Sequence, residues 1–359
     1  MAYTTTDNPE LFHQTKLYSG TGSAQSITLD GSEDMQPDWV WIKRRAPGNA
    51  NSGIMDSVRG ATKLISSQSG DVEQTLSTEL TSFNSDGFSL GDGSNGYVNQ
   101  NGSKTYVAWC WKAGTSFSNS AGANGADLAS TGSYNRDAGF SIVTFTGNAT
   151  ANQQIYHGLN SVPKWMVLKN RTNSNAESWA VYHVSLGNTH RVNLNTTGTA
   201  SNSDGEEFWA NTTPTSTVLS IGRQDQVNGS GNTHVVYCFS EVKGYSKFGK
   251  YTGNANTNGP FVYTGFRPAW IMVKATDAAK SWYMWDNKRS TSGFNLVDDA
   301  LLADTSDAEF SGSNIDILSN GFKLRGSGSG ENGSGTNYIY MAFAEQPFVN
   351  SNGVPCNAR

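Results

Sequence analysis

Five histidines and a few paired acids are the residues here whose types could carry proton transfer or metal binding. The histidines are His13, His157, His183, His190 and His234, and no two show a His-x-His or His-Glu-x-x-His spacing. They do not read as a metal set. His234 falls where two other strands carry Tyr106 and Tyr338, and it reads as a packed residue. Glycan hydrolysis needs two carboxylates facing each other across roughly 5–9 Å. The candidates are Glu206-Glu207, Asp298-Asp299, and Glu241 with Glu345. Neighbouring acids on a strand point to opposite faces, which is poor geometry for shared chemistry. These patterns assign no catalytic residue and no metal ligand.

Three loops invite a binding role instead. The run Gly326-Ser327-Gly328-Ser329-Gly330-Glu331-Asn332-Gly333-Ser334-Gly335 has the composition of a phosphate loop. Such loops need a helix start to converge N–H groups on the anion. A strand-like run, Tyr338 to Phe343, follows here, so a hairpin loop is the expectation. Asp30-Gly31-Ser32-Glu33-Asp34 offers hard oxygen ligands that suit Ca²⁺. Turn chemistry explains those residues as well; no cofactor is expected, with Ca²⁺ in this acidic loop as the alternative. The third loop, Glu206-Glu207-Phe208-Trp209-Ala210-Asn211, mixes an aromatic with carboxylates and an amide, as sugar-binding surfaces do. If the chain binds glycan, Trp209, Glu206, Glu207 and Asn211 are the expected contacts. Trp209 should then be partly exposed and Phe208 buried.

A threefold repeat must position these residues. An aromatic-turn unit opens each copy: Tyr18-Ser19-Gly20, Phe145-Thr146-Gly147 and Tyr251-Thr252-Gly253. A Pro-x-Trp strand follows: Pro37-Asp38-Trp39-Val40-Trp41-Ile42-Lys43, Pro163-Lys164-Trp165-Met166-Val167-Leu168-Lys169, and Pro268-Ala269-Trp270-Ile271-Met272-Val273-Lys274. An aromatic strand closes each copy, starting at Tyr106, His234 and Tyr338. From the Pro-x-Trp tryptophan to that strand is 67, 69 and 68 residues, an interval chance would not hold. Trp39, Trp165 and Trp270 recur at one position and are expected in the core, whereas Trp209 lies outside the pattern. Cys110 and Cys238 share another position, in different copies, and are expected to be reduced and buried. With Cys356 they are too few and too scattered for a disulfide framework or a zinc site.

Within a copy, short β-rich runs alternate with Gly/Asn/Ser/Asp clusters, and no segment sustains a helical period. The expected fold is all-β: three repeated antiparallel β-sandwich modules of jelly-roll or lectin-like type. The expected division is an N-terminal arm (1–14), module 1 (15–113), a linker (114–138), module 2 (139–247), module 3 (248–348) and a C-terminal arm (349–359). About 100 residues suffices for each module to be an independent sandwich. Composition agrees, since 36 % hydrophobic residues, 15 % charged residues and ten tryptophans fit neither a disordered tail nor a helical protein. A net charge of −5 without a basic block argues against a nucleic-acid partner. The absence of an apolar run of about 18 residues argues against membrane insertion.

Several strings resemble a known family. Lys16-Leu17-Tyr18, the Pro37 to Lys43 strand, Asp56-Ser57-Val58-Arg59-Gly60-Ala61 and Tyr106-Val107-Ala108-Trp109 resemble the opening module of marine bacteriophage tail-fibre-like proteins. Gly244-Tyr245-Ser246-Lys247-Phe248-Gly249, Gly259-Pro260-Phe261-Val262-Tyr263-Thr264-Gly265-Phe266-Arg267-Pro268 and Tyr340-Met341-Ala342-Phe343-Ala344-Glu345 resemble its later modules. The resemblance covers nearly the whole chain. It implies a virion protein with lectin-like (concanavalin A-like) sandwiches and supplies no catalytic residues. The expected function is a non-enzymatic virion structural protein, as tail fibre, neck fibre or capsid-attached decoration, that contacts the host surface or its glycan. The alternative is a capsule-polysaccharide depolymerase of a tailspike. That enzyme would need a deep acidic groove, usually in a long parallel β-helix, and a repeat of about 100 residues counts against it. Met1 to Asp7 lacks a basic n-region and an apolar h-region. Synthesis in the host cytoplasm without a signal peptide, and location in the virion, are therefore expected. The expected partners are the chain itself as a homotrimer, other phage virion proteins and a host-surface glycan. The short arms are expected to order only against neighbours.

Overall fold

A continuous apolar run such as Trp39-Val40-Trp41-Ile42 cannot be a half-exposed strand, because successive side chains alternate between the two faces of a sheet. In the computed structural model, which describes residues 4–202, 205–290 and 294–357, both faces of this run are buried. The fold is all-β and antiparallel throughout its named strand pairs.

Three large sheets share one order. In copy 1 the opening strand His13–Ser19 pairs with the closing strand Thr105–Trp111, which pairs with Trp39–Ala46. Phe140–Thr146, Thr233–Ser240 and Pro163–Asn170 follow that order in copy 2. Ser246–Thr252, Asn337–Pro347 and Phe266–Ala275 follow it in copy 3. The register recurs too: Tyr18 lies opposite Tyr106, Phe145 opposite His234, and Tyr251 opposite Tyr338. Each pair stacks, with ring centroids 5.2, 5.0 and 4.9 Å apart, which pins the register through a cross-strand aromatic contact.

Alternation then decides what each face does. Val40, Ile42 and Cys110 point toward a small outer sheet bearing Ile27, Phe88 and Leu90. Met166, Leu168 and Cys238 do the same against Ile155 and Leu219 in copy 2. Both cysteines are reduced and buried, as expected. The opposite faces, carrying Trp39, Trp41, Trp165 and Trp270, meet in one core shared by all three copies. There Trp39 packs on Tyr237 at 4.7 Å, Trp111 on Trp270 at 5.4 Å and Trp165 on Trp282 at 5.8 Å. Trp39, Trp165 and Trp270 line a single apolar cavity of about 10 Å³. The sandwiches are therefore not independent; a core common to all of them corrects that expectation.

Three further expectations change. Residues 114–138, read as a linker, contribute the strands Thr115–Asn119 and Ser130–Asn135 to the edge of the second sheet. The glycine-rich run 326–335 joins two strands that are not neighbours in the eight-stranded sheet of copy 3 and does not close a hairpin, since Gly321–Leu324 and Asn337–Pro347 pair with other partners. The described residues of both arms pack on their own chain. Thr4 is buried and donates to the Lys243 carbonyl at 2.7 Å, and Phe12 packs edge-on to Tyr245 at 5.6 Å. Asp7 accepts from the Ser351 N–H at 2.7 Å, which ties one arm to the other.

A buried asparagine fastens the same corner of every copy. Asn99 donates to the Gly91 and Ser23 carbonyls at 2.6 and 2.8 Å and accepts from Thr21 N–H at 3.0 Å. Asn228 does so with Gly222, Thr150 and Asn148 at 2.8, 2.7 and 2.9 Å. Asn332 does so with Gly326, Asn256 and Asn254 at 2.8, 3.0 and 2.9 Å. One side chain thus satisfies three buried backbone groups that no strand ladder reaches.

Candidate functional site

The loop expected to stack on sugar folds inward. Gly205–Phe208 makes a single helical turn, and Trp209, only 1 % exposed, fills copy 2 against Tyr182 with ring centroids 5.8 Å apart. Its indole N–H donates to the His190 carbonyl at 3.2 Å. The expectation of a partly exposed Trp209 is corrected. The repeat keeps its length here, so Trp209 is a large residue at a position where copy 3 carries a small one, about Ser311, and it fills the core of its own copy. Phe208 is buried as expected, with the Arg191 guanidinium 3.9 Å from its ring centroid. Glu207 accepts from Arg223 Nε at 2.5 Å and Gln224 Nε2 at 3.2 Å, and the Arg223 hydrogen bond holds its carboxyl below the usual range. Asn211 is exposed and its carbonyl accepts from Asn188 at 2.7 Å, while the side chain of Glu206 lies outside the described residues. The described side chains of Trp209, Glu207 and Asn211 do not assemble a pocket around an aromatic platform.

The groups with the most chemical potential sit where copies meet. Opposite the three Pro-x-Trp tryptophans stand Asp56, His183 and Asp286, in one register. Asp56 takes Arg59 Nε at 2.5 Å and the Tyr237 hydroxyl of copy 2 at 2.7 Å. Asp286 takes Arg289 Nε at 2.6 Å and the Trp109 indole of copy 1 at 2.9 Å. His183 pairs its Nε2 with the Tyr340 carbonyl of copy 3 at 3.3 Å, and its Nδ1 accepts from Ser185 N–H at 2.9 Å. Copy 2 therefore rests on copy 1, copy 1 on copy 3, and copy 3 on copy 2. The ring closes.

Lysines follow the same circuit. Lys43 donates to the Thr305 carbonyl at 2.7 Å, Lys169 to Gly70 at 2.8 Å and Lys274 to Thr197 at 3.1 Å, each reaching into the next copy. Burial lowers all three to about 8. At two junctions a glutamate bridges two arginines: Glu73 holds Arg171 and Arg59 at 2.8 and 2.9 Å, and Glu309 holds Arg45 and Arg289 at 2.7 and 3.0 Å. Burial disfavours the Arg59 charge, but Asp56, Tyr237 and Glu73 offset it, and the guanidinium stays protonated.

The remaining candidates are spent in the same way. Burial drives His13 down to about 3 and His157, His183 and His234 to about 4, so they stay neutral near pH 7. Glu241 pairs with Lys247 at 2.6 Å and Glu345 with Arg267 at 3.1 Å. Asp298 accepts from Ser290 at 2.5 Å and Asp299 from Ser311 at 2.7 Å. In the loop considered for Ca²⁺, Asp30 pairs with Lys16 at 3.1 Å, and among the described residues no group of three His, Cys, Asp or Glu is placed to hold a metal. Two residues outside all of these candidates, Phe261 and Tyr263, stand exposed on an outer strand of copy 3. The signal was there in the alternation Phe-Val-Tyr, with large aromatics at every second position.

Among curated proteins and among solved structures, none matches this chain. One family does, across residues 8–347, so that the match takes in all three copies and the junctions between them. By that span the chain belongs to the family described as a domain of unknown function, DUF7483.

Proposed function

We propose that this protein is a non-enzymatic structural component of a bacteriophage particle, displayed where the particle meets its host. The observation that carries the non-enzymatic reading is the fate of the buried charges. Asp56, Arg59, Asp286, Arg289 and the three junction lysines hold one copy to the next, so that these charges serve the junctions and not a cleft. The assignment to a particle rests on the strings that resemble marine phage tail-fibre-like proteins, above all Gly259 to Pro268 and Tyr340 to Glu345. Its partners are then other virion proteins and the host surface, with a second copy as a further partner.

Mass spectrometry of gradient-purified particles, with gold-labelled antibody against the chain, tests the location. The chain should co-purify with infectious particles and label one defined part of them. Finding it only in lysate, never on particles, would overturn the proposal. Incubating the pure protein with host capsule should release no reducing sugar; release would favour the depolymerase reading instead.

A further inference from the structure

One position on the strands Gln25–Ile27, Gln153–Tyr156 and Phe261–Tyr263, each at a sheet edge, appears in three versions. Ser26, Gln154 and Phe261 are equivalent, as are Thr28, Tyr156 and Tyr263, because Ile27, Ile155 and Val262 between them are each buried under their own copy. Copy 1 presents hydroxyls, with Ser26 Oγ 3.3 Å from Ser89 Oγ, a face suited to water. Copy 2 presents an aromatic and covers it from its own chain. Phe117 stands edge-on to Tyr156 at 5.3 Å, and Ser130 donates to the Tyr156 carbonyl at 3.2 Å. Copy 3 presents two aromatics and leaves them 47 % and 52 % exposed.

Those rings share one face, about 7 Å apart along the strand. Gly321 lies opposite Tyr263, and a Cβ there would come within 3.1 Å of the Phe261 ring, so the ring leans over that glycine. Polar groups border it in register: Lys323 opposite Phe261, Asp316 opposite Lys323, and Arg325 3.4 Å from Asp316. Size decides the class of occupant. An aromatic side chain buries about 150–250 Å² in full, so two half-exposed rings offer on the order of 200 Å². A stable protein interface needs about 800 Å² from each partner. Two rings and a charged border suit a small ligand with an apolar face and many hydroxyls.

We propose that Phe261 and Tyr263 form a saccharide-binding platform on the edge strand of the eight-stranded sheet of copy 3. The rings take the C–H faces of pyranose units, while Lys323, Asp316 and Arg325 take their hydroxyls. This inference rests on the host-contact reading above and gives it a location and a ligand class.

The test compares wild type with F261S/Y263S on an array of bacterial surface polysaccharides, followed by calorimetric titration with the strongest binder. Both substitutions lie on exposed positions, and an unchanged thermal melt verifies that the variant is folded. Wild type should bind, and F261S/Y263S should bind roughly tenfold more weakly or not at all. K323A should weaken binding by a smaller factor. Wild type that binds no glycan overturns the platform, while the particle assignment is still judged separately by mass spectrometry. Binding that survives F261S/Y263S overturns the location alone. Sedimentation in which only wild type self-associates would assign the face to a second copy and overturn the saccharide.

Discussion

Where copy 2 meets copy 1, Glu73 sits between Arg171 and Arg59; where copy 3 meets copy 2, the same place is taken by Ala200 beside Thr276 and Leu186. The backbone contact is the same in both. Glu73 N–H donates to the Arg171 carbonyl at 2.9 Å and Ala200 N–H to Thr276 at 2.7 Å, as Glu309 N–H does to Arg45 at 2.8 Å at the remaining junction. The junction lysine and the shared aromatic core are also common to all three. Geometry is therefore set by backbone pairing and apolar packing, and the ion pairs are an addition at two junctions. A buried ion pair is weak evidence for net stability, but removing one partner strands the other charge. The two kinds of junction should answer differently to mutation and to acid.

The largest expected contrast comes from truncating the equivalent third residue after Asp56 and His183. Arg59→Ala leaves Asp56 and Glu73 without their guanidinium in a buried site, and should cost about 3–5 kcal/mol in urea unfolding. Leu186→Ala removes a half-buried side chain and should cost about 1 kcal/mol. Equal losses would erase the distinction. Converting the neutral junction toward the ionic one sharpens it: His183→Asp alone should destabilise strongly by burying an unpaired carboxylate. Adding Leu186→Arg should recover at least part of that loss. Failure of Leu186→Arg to recover any of it would show that the two loops are not equivalent.

Acid supplies the next contrast. His183 titrates near 6.5 when unfolded and near 4 when folded, so the unfolded chain holds more protons between those values. Stability is then full above pH 6.5 and declines as pH falls toward 4, with His13, His157 and His234 acting in the same sense. Glu73 lies below its ordinary value despite burial, through Arg171 and Arg59, and keeps its contribution over that range. Hydrogen exchange at pH 5.5 should find the Ala200 amide losing protection before those of Glu73 and Glu309. Simultaneous loss at all three would mean that the junctions do not differ in acid.

The smallest effect is expected far from any junction. F261S/Y263S should shift stability by no more than about 0.5 kcal/mol, because both rings are half exposed.

The repeat was legible because aromatic residues mark the turns and strands at a constant interval, and the all-β class because no helical period competes. The junction machinery was half legible. Asp-x-x-Arg occurs at Asp56 and Asp286, at nearly the same distance from the Pro-x-Trp tryptophan, whereas His183 and Leu186 replace both residues in the third instance. What the strings could not say is that Trp39, Trp165 and Trp270 face one another across copies. A tryptophan buried in its own sandwich and one buried against a neighbouring copy give the same alternation. Trp209 misled for a related reason. A tryptophan that the other copies do not share can fill a core as readily as it can face solvent. The segment 114–138 reads as linker by its Ser, Gly and Ala, yet edge strands need little apolar content when one face stays wet.

The central claim is that three sandwiches close into one cooperative unit through a common core. Differential scanning calorimetry of the whole chain tests it most directly. A single transition is expected, whose calorimetric and van't Hoff enthalpies agree and which Arg59→Ala moves down in temperature without splitting. Two or three resolved transitions, or an Arg59→Ala variant that melts copy 1 alone, would contradict it.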